Sequence, residues 1–210
     1  MSKECEKLHK LFNNQERFYF PFNKEKIPKN GIYILFEKNE KAHSVDRIVR
    51  VGTHTGENKL VSRLSEHFLK ENKDRSIFRK NIGRALLSKE KDSFLKIWEL
   101  DVTTKENKEK YLKDIDFEKQ KEIERKVSEY IHNNFSFIVF QVDDNQERLR
   151  LESKVISTVS LCQECFGSKE WFGRYSPKKK IRESGLWLVN ELYKTPFREE
   201  EIEDFKENFK

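Results

Sequence analysis

The sequence predicts an α+β fold, with a small, mostly antiparallel three-stranded sheet flanked by helices. Two short β-rich runs stand close together early in the chain: "GIYILFEK" (31–38) and "RIVRVG" (47–52). A third, "FSFIVFQV" (135–142), lies far downstream and is the strongest strand signal present. Charge-rich stretches with helical spacing occupy most of what lies between and after them.

Each element has a local reason. Residues 2–14 read as a helix, with Leu8, Leu11 and Phe12 on one side. "PFNKEKIPKNG" is a loop marked by two prolines and a closing Asn-Gly. "GIYILFEK" and "RIVRVG" form a hairpin, joined by the polar stretch "KNEKAHSVD" as a long loop. A turn and a helix over about 58–70 follow. A second, basic helix in "DRSIFRKNIGRALLSK" takes Asp74 as its N-cap. "SFLKIWEL" is strand-like, and 105–133 is mainly helical. After the third strand, "DNQERLRLESKVISTVSLCQECF" reads as one long helix from about 145. The tail holds the aromatic run "SKEWFGRYSPKKK", the apolar "SGLWLVNEL" and an acidic terminal helix.

At 210 residues the chain can build a real core, and 17 Phe with 3 Trp supply it despite 38% charged residues. No apolar run approaches the roughly 18–20 residues of a membrane span, and the first residues lack a secretory apolar segment. A soluble, cytoplasmic protein is expected. The net charge is +6. Between Arg47 and Glu90 there are 11 Lys or Arg against 5 Asp or Glu, so this one segment carries the whole excess. Such a segment suits a polyanion such as nucleic acid. Three cysteines, Cys5, Cys162 and Cys165, are too few and too uneven for a disulfide framework. "CQEC" has the spacing of a zinc or redox half-site, but no second cysteine pair and no His-x(3–5)-His follows it. It reads as ordinary reduced cysteines on a helix, with zinc as the alternative.

Two helices carry candidate chemistry. In "KLVSRLSEHF", at about 100° per residue, Leu60, Val61, Leu64 and Phe68 form the buried stripe. Arg63 and His67 lie together along its edge, facing a cleft or merely shielding the core. In "RLRLESKVISTV" the carboxylate of Glu152 falls inside the apolar stripe of Leu149, Val155, Ile156 and Val159. A buried carboxylate needs a partner, either an arginine or a bound cation. In the basic helix, Arg75 and Arg79 share one face and Lys80 and Arg84 a neighbouring one. They read as a phosphate-tracking surface or as a solvated basic face. The aromatic and basic tail could stack on bases, but packing the extension on the core is the preferred reading.

In order, the chain has a strand with GIY (31–33), a strand ending RVG (50–52), a helix with Arg63 and His67, a third strand, and a helix with Glu152. This order resembles the GIY-YIG nuclease superfamily, closest in style to its restriction-endonuclease-type members, some of which place a His four residues after the Arg. The match covers about 29–70 and 135–160. It implies an N-terminal helix and loop (1–28), a nuclease domain (29–165) with a helical insertion at about 71–134, and a C-terminal extension (166–210). Arg50 stands where the family has its second Tyr. The family's Asn after the Glu has no counterpart nearby, and Asn190 is the candidate.

The resemblance implies a metal-dependent endonuclease that hydrolyses DNA phosphodiester bonds, with a restriction or defence enzyme as one form. It implies one divalent cation, Mg²⁺ (or Mn²⁺), held by Glu152. Arg63 would lie on the scissile phosphate, where a planar, permanently charged fork suits it. Tyr33 would be the general base or would orient the attacking water, with Arg50 and Arg63 supplying a positive field. His67 would relay the proton or hold the phosphate. The expected partner is double-stranded DNA, with a homodimer where both strands are cut. The alternative is a non-catalytic nucleic-acid-binding module on a decayed nuclease fold, which Arg50 at the second Tyr position supports. A third reading is a structural protein whose basic segment binds acidic partners.

Overall fold

A computed structural model describes residues 2–207. Helix α1 (Ser2–Asn13) leads into the two-residue strand β1 (Phe18–Tyr19). The long strand β2 (Gly31–Ala42) and strand β3 (Val45–Gly52) come next. Helices α2 (Leu60–Phe68), α3 (Ile77–Glu90), α4 (Leu95–Trp98), α5 (Lys105–Tyr111) and α6 (Phe117–Asn134) follow. Strand β4 (Phe135–Gln141) and helix α7 (Asn145–Ser160) precede α8 (Lys179–Ser184) and α9 (Glu199–Glu207).

The strands form one antiparallel sheet in the order β1-β4-β2-β3. Successive side chains of a strand point to opposite faces, and here both faces are covered. Ile32, Ile34 and Phe36 pack with Leu8, Phe12 and Val155 under α1, α7 and α9. Tyr33 and Leu35 pack with Leu64, Phe68, Ile82 and Ile131 under α2, α3 and α6. Burial on both faces is why β2 begins as an unbroken apolar run instead of alternating.

Several expectations change. The α+β class and antiparallel sheet hold, but the sheet has a fourth strand, β1, too short to leave a sequence signal. The polar "KNEKAHSVD" is no long loop. Strand β2 runs on to Ala42, and His43 and Ser44 turn the chain with φ of 51° and 66°. That left-handed pair is the geometry of a two-residue hairpin, and the polar run can pair because Lys38, Asn39, Lys41 and Ser44 face solvent while buried Glu40 is paired with Arg47. "SFLKIWEL" is not a strand. Asp92 accepts the Phe94 N–H, and one helical turn sinks Trp98 against α3, where its indole donates to the Lys80 carbonyl. The N-cap of α3 is Ser76, whose hydroxyl accepts the Arg79 N–H, and not Asp74, which pairs with Lys73. Helix α7 stops at Ser160, so Cys162 and Cys165 stand beyond it in a turn.

The C-terminal segment closes the exposed edge of β3. The Trp187 N–H donates to the Val49 carbonyl at 2.7 Å. The carboxylate of Glu37 accepts Trp171 Nε1 at 2.8 Å, Trp187 Nε1 at 2.7 Å and the Tyr130 hydroxyl at 2.5 Å. Burial pushes the Glu37 carboxyl up, and these three donors oppose the shift. The aromatics of the tail therefore pack the segment on the core.

Candidate active site

Tyr33 comes from β2, in register with Gly52 of β3 and Val139 of β4. Its ring lies directly over Gly52, where an added Cβ would stand 2.2 Å from the phenol oxygen. The Gly that ends "RVG" is thus the space the phenol occupies. Gly31 has a similar reason, since a Cβ there would meet the Phe140 carbonyl oxygen at 1.9 Å.

The Tyr33 hydroxyl and His67 Nε2 are 2.7 Å apart, and His67 Nδ1 is 2.7 Å from the Ser76 hydroxyl. Tyr33 and His67 are both fully buried. Burial holds the imidazole well below its ordinary range, and Arg50, Arg63 and Arg79 push the same way. His67 is therefore neutral. The Arg63 guanidinium lies beside the phenol on the cleft side. Its guanidinium also donates to the Arg75 carbonyl at 3.1 Å and to Glu66 at 3.2 Å. Arg63 thus lies between Tyr33 and solvent.

At the end of the sheet a cleft of about 530 Å³ opens, lined by Thr53, His54, Thr55, Lys59, Ser62, Arg63, Glu66, Leu149 and Glu152. Glu152 and Leu149 reach it from α7. Leu149, expected in the buried stripe, is 44% exposed, so the stripe gives way to the cleft at this point. Burial pushes the Glu152 carboxyl up, while Arg50, the Thr53 backbone N–H and Arg63 oppose the shift. The arginines of its own helix are committed elsewhere. Arg148 donates to the carbonyls of Val142 and Asp143, and Arg150 pairs with Glu147 and Glu201. A desolvated carboxylate on a cleft wall, with one backbone donor and no arginine paired to it, fits a hard divalent cation.

The other expected site residues fall differently. Arg50 is 5% exposed, donates to the Trp187 carbonyl and lies over the Phe78 ring. It contributes its charge from behind the site and does not line the cleft. Asn190 is exposed and outside the lining. The basic helix offers no continuous phosphate-tracking face. Arg79 is fully buried against Glu124 at 2.7 Å, Arg84 is forked onto Glu99 at 2.6 Å, and Lys80 donates to the Glu99 carbonyl at 3.0 Å. Of the four, only Arg75 is exposed. The acidic partners lie 15 to 45 residues downstream in sequence, where helical spacing cannot reveal them.

Sequence reading missed Thr53, His54, Lys59 and Ser76. Thr53 Oγ1 donates to the Gly31 carbonyl, and His54 Nε2 accepts the Gly31 N–H at 3.2 Å, which locks the start of β2 to the cleft loop. Burial lowers the His54 imidazole, with Arg148 adding to the effect. The available signal was position: polar residues directly after Gly52, and a Ser at the head of a helix.

The GIY-YIG domain family model matches residues 3–209. The chain therefore belongs to the GIY-YIG family, a superfamily of nucleases. No curated protein and no solved structure gives a match.

Proposed function

We propose that this protein is a metal-dependent endonuclease that hydrolyses DNA phosphodiester bonds in the cleft between α2 and α7. The observation that carries the reading is the convergence of three elements at one cleft, with Arg63 and Glu152 on its walls, Tyr33 buried directly behind Arg63, and no arginine of α7 paired to Glu152. Glu152 would hold Mg²⁺ or Mn²⁺. The bound cation would stabilise charge on the phosphate and on the leaving 3′ oxygen.

The chain's own residues divide the remaining work. Arg63 and Lys59 face the cleft and bind the phosphate backbone, Arg63 at the scissile group. In moving onto a phosphate, Arg63 leaves Glu66 and the Arg75 carbonyl and uncovers the Tyr33 oxygen. Tyr33 then orients the attacking water, whose proton leaves to solvent in the cleft. His67 has no path to the phosphate, because it is fully buried. A proton relayed onto it would create an imidazolium that burial and three arginines oppose. Its role is to position Tyr33. Its ring is held between two hydroxyls, with Nε2 2.7 Å from the Tyr33 oxygen and Nδ1 2.7 Å from Ser76 Oγ.

A supercoiled-plasmid assay with Mg²⁺, with Mn²⁺ or with neither, run beside Glu152→Ala, tests the proposal. Cation-dependent cleavage lost in the variant is expected. Discrete fragments would mark sequence specificity of the restriction or defence kind, and double-strand breaks would call for two copies acting together. A mobility shift without cleavage under either cation would instead establish the binding-module reading.

A further inference from the structure

On the sheet face opposite Tyr33, three cysteines and two histidines from distant parts of the chain meet. Cys5 comes from α1, His43 from the β2–β3 turn, and Cys162 and Cys165 from the turn after α7. The Sγ atoms of Cys5 and Cys165 are 3.3 Å apart. His43 Nε2 lies 3.2 Å from Cys165 Sγ and 3.5 Å from Cys162 Sγ. Cys162 reaches the cluster through His43, from three residues before Cys165 in the same turn. No two of them are joined as a disulfide. A zinc ion with bonds of about 2.0–2.3 Å sets tetrahedral donor separations of roughly 3.4–3.8 Å, and these spacings fall within a few tenths of that range.

We propose that Cys5, His43, Cys162 and Cys165 form a structural zinc site that ties α1, the hairpin turn and the end of α7 together. His9 also brings a ring nitrogen within 4.8 Å of the Cys5, His43 and Cys165 ligand atoms. Both its nitrogens are occupied, however: Nδ1 bonds the Cys5 carbonyl at 2.9 Å and Nε2 accepts the Ile48 N–H at 3.2 Å. It packs against the site as a neighbour, its ring centroid 5.1 Å from that of His43.

Two further observations fit a metal. The His43 side chain is 2% exposed, and its Nδ1 faces the Glu164 carboxylate at 3.4 Å. A carboxylate behind a ligating imidazole fixes the ring and raises its basicity. The tight turn that gives His43 its φ of 51° also carries the imidazole to the thiols. Soft sulfur donors suit zinc, while a lone carboxylate such as Glu152 suits a hard cation. This site does not depend on the nuclease reading.

The experiment is metal analysis of the full chain, purified without chelator, by plasma mass spectrometry, with cobalt substitution. One zinc per chain is expected, retained on dialysis and released by a mercurial thiol reagent. The cobalt form should show thiolate-to-metal charge transfer and the strong ligand-field bands of a tetrahedral site. His43→Ala and Cys165→Ser should lose the metal, whereas His9→Asn and Glu152→Gln should keep it. Wild-type stoichiometry decides the matter if the cysteine variant does not fold. Folded, metal-free wild-type protein with three free thiols, or with a Cys5–Cys165 disulfide, would overturn the proposal. So would retention of zinc by folded His43→Ala.

Discussion

Replacing Glu152 by Gln removes a charge while keeping the shape and the acceptor that the Thr53 N–H uses. Burial raises the Glu152 carboxyl, which sets the sign of its effect on stability. For an acid raised by folding, the folded chain still holds a proton that the unfolded chain has released, so stability falls as pH rises above about 4.3. At neutral pH the ionised carboxylate weakens the metal-free fold, and the amide does not. Without divalent cation, Glu152→Gln should therefore unfold at a higher temperature than the wild type. Mg²⁺ should reverse the order. A cation at about one hundred times its Kd adds about 2.7 kcal/mol to a protein that binds it only when folded. At roughly 2–4 °C per kcal/mol for a chain of this size, the wild-type midpoint should rise by about 5–11 °C. The variant's midpoint should not move. Cleavage should fall about 10³-fold if about 4 kcal/mol of transition-state stabilisation is lost. Calorimetry across a Mg²⁺ titration, beside the plasmid assay, measures both. Equal Mg²⁺ shifts in the two proteins, or cleavage by the variant at the wild-type rate, would refute the assignment of Glu152.

Three other predictions concern the groups around the cleft. Tyr33→Phe leaves the His67 ring without its partner, so it should cost about 1–3 kcal/mol in a denaturant titration and abolish cleavage while DNA binding persists. His67 refuses a proton when folded, so its contribution is present above about 6.5 and lost as pH falls below it. Unfolding free energy measured down to about pH 5 should drop more steeply for the wild type than for His67→Asn; equal slopes would mean that His67 is not held neutral. Arg79→Ala strips one partner from a buried pair and should cost about 3–5 kcal/mol. Arg75→Ala should stay within about 0.5 kcal/mol, and a larger salt-slope change in a folded Arg79 variant than in Arg75→Ala would restore Arg79 to a phosphate-binding role.

The sequence by itself determined the core strands, the antiparallel pairing and the residues of the motif. Tyr33 with Gly52, Arg63 with His67, and Glu152 each stand in an element whose local pattern is strong. Glu152 was conspicuous because a carboxylate within an apolar stripe demands a partner, an arginine or a cation, and it took the structure to show Arg148 and Arg150 engaged elsewhere. Only the tertiary structure decided which charges are free. Arg79, Lys80 and Arg84 match an exposed basic face by helical spacing, yet Glu124, Asp74 and Glu99 enclose them. His67 was placed on a cleft edge by its helical angle, but Ser76 and Tyr33 draw it fully inside. The cysteine cluster was only half legible, as the spacing of Cys162 and Cys165 allowed a zinc half-site but nothing pointed to Cys5 or His43. Its ligands lie as far as 160 residues apart, and spacing along the chain carries no information about the two that only folding brings to that pair.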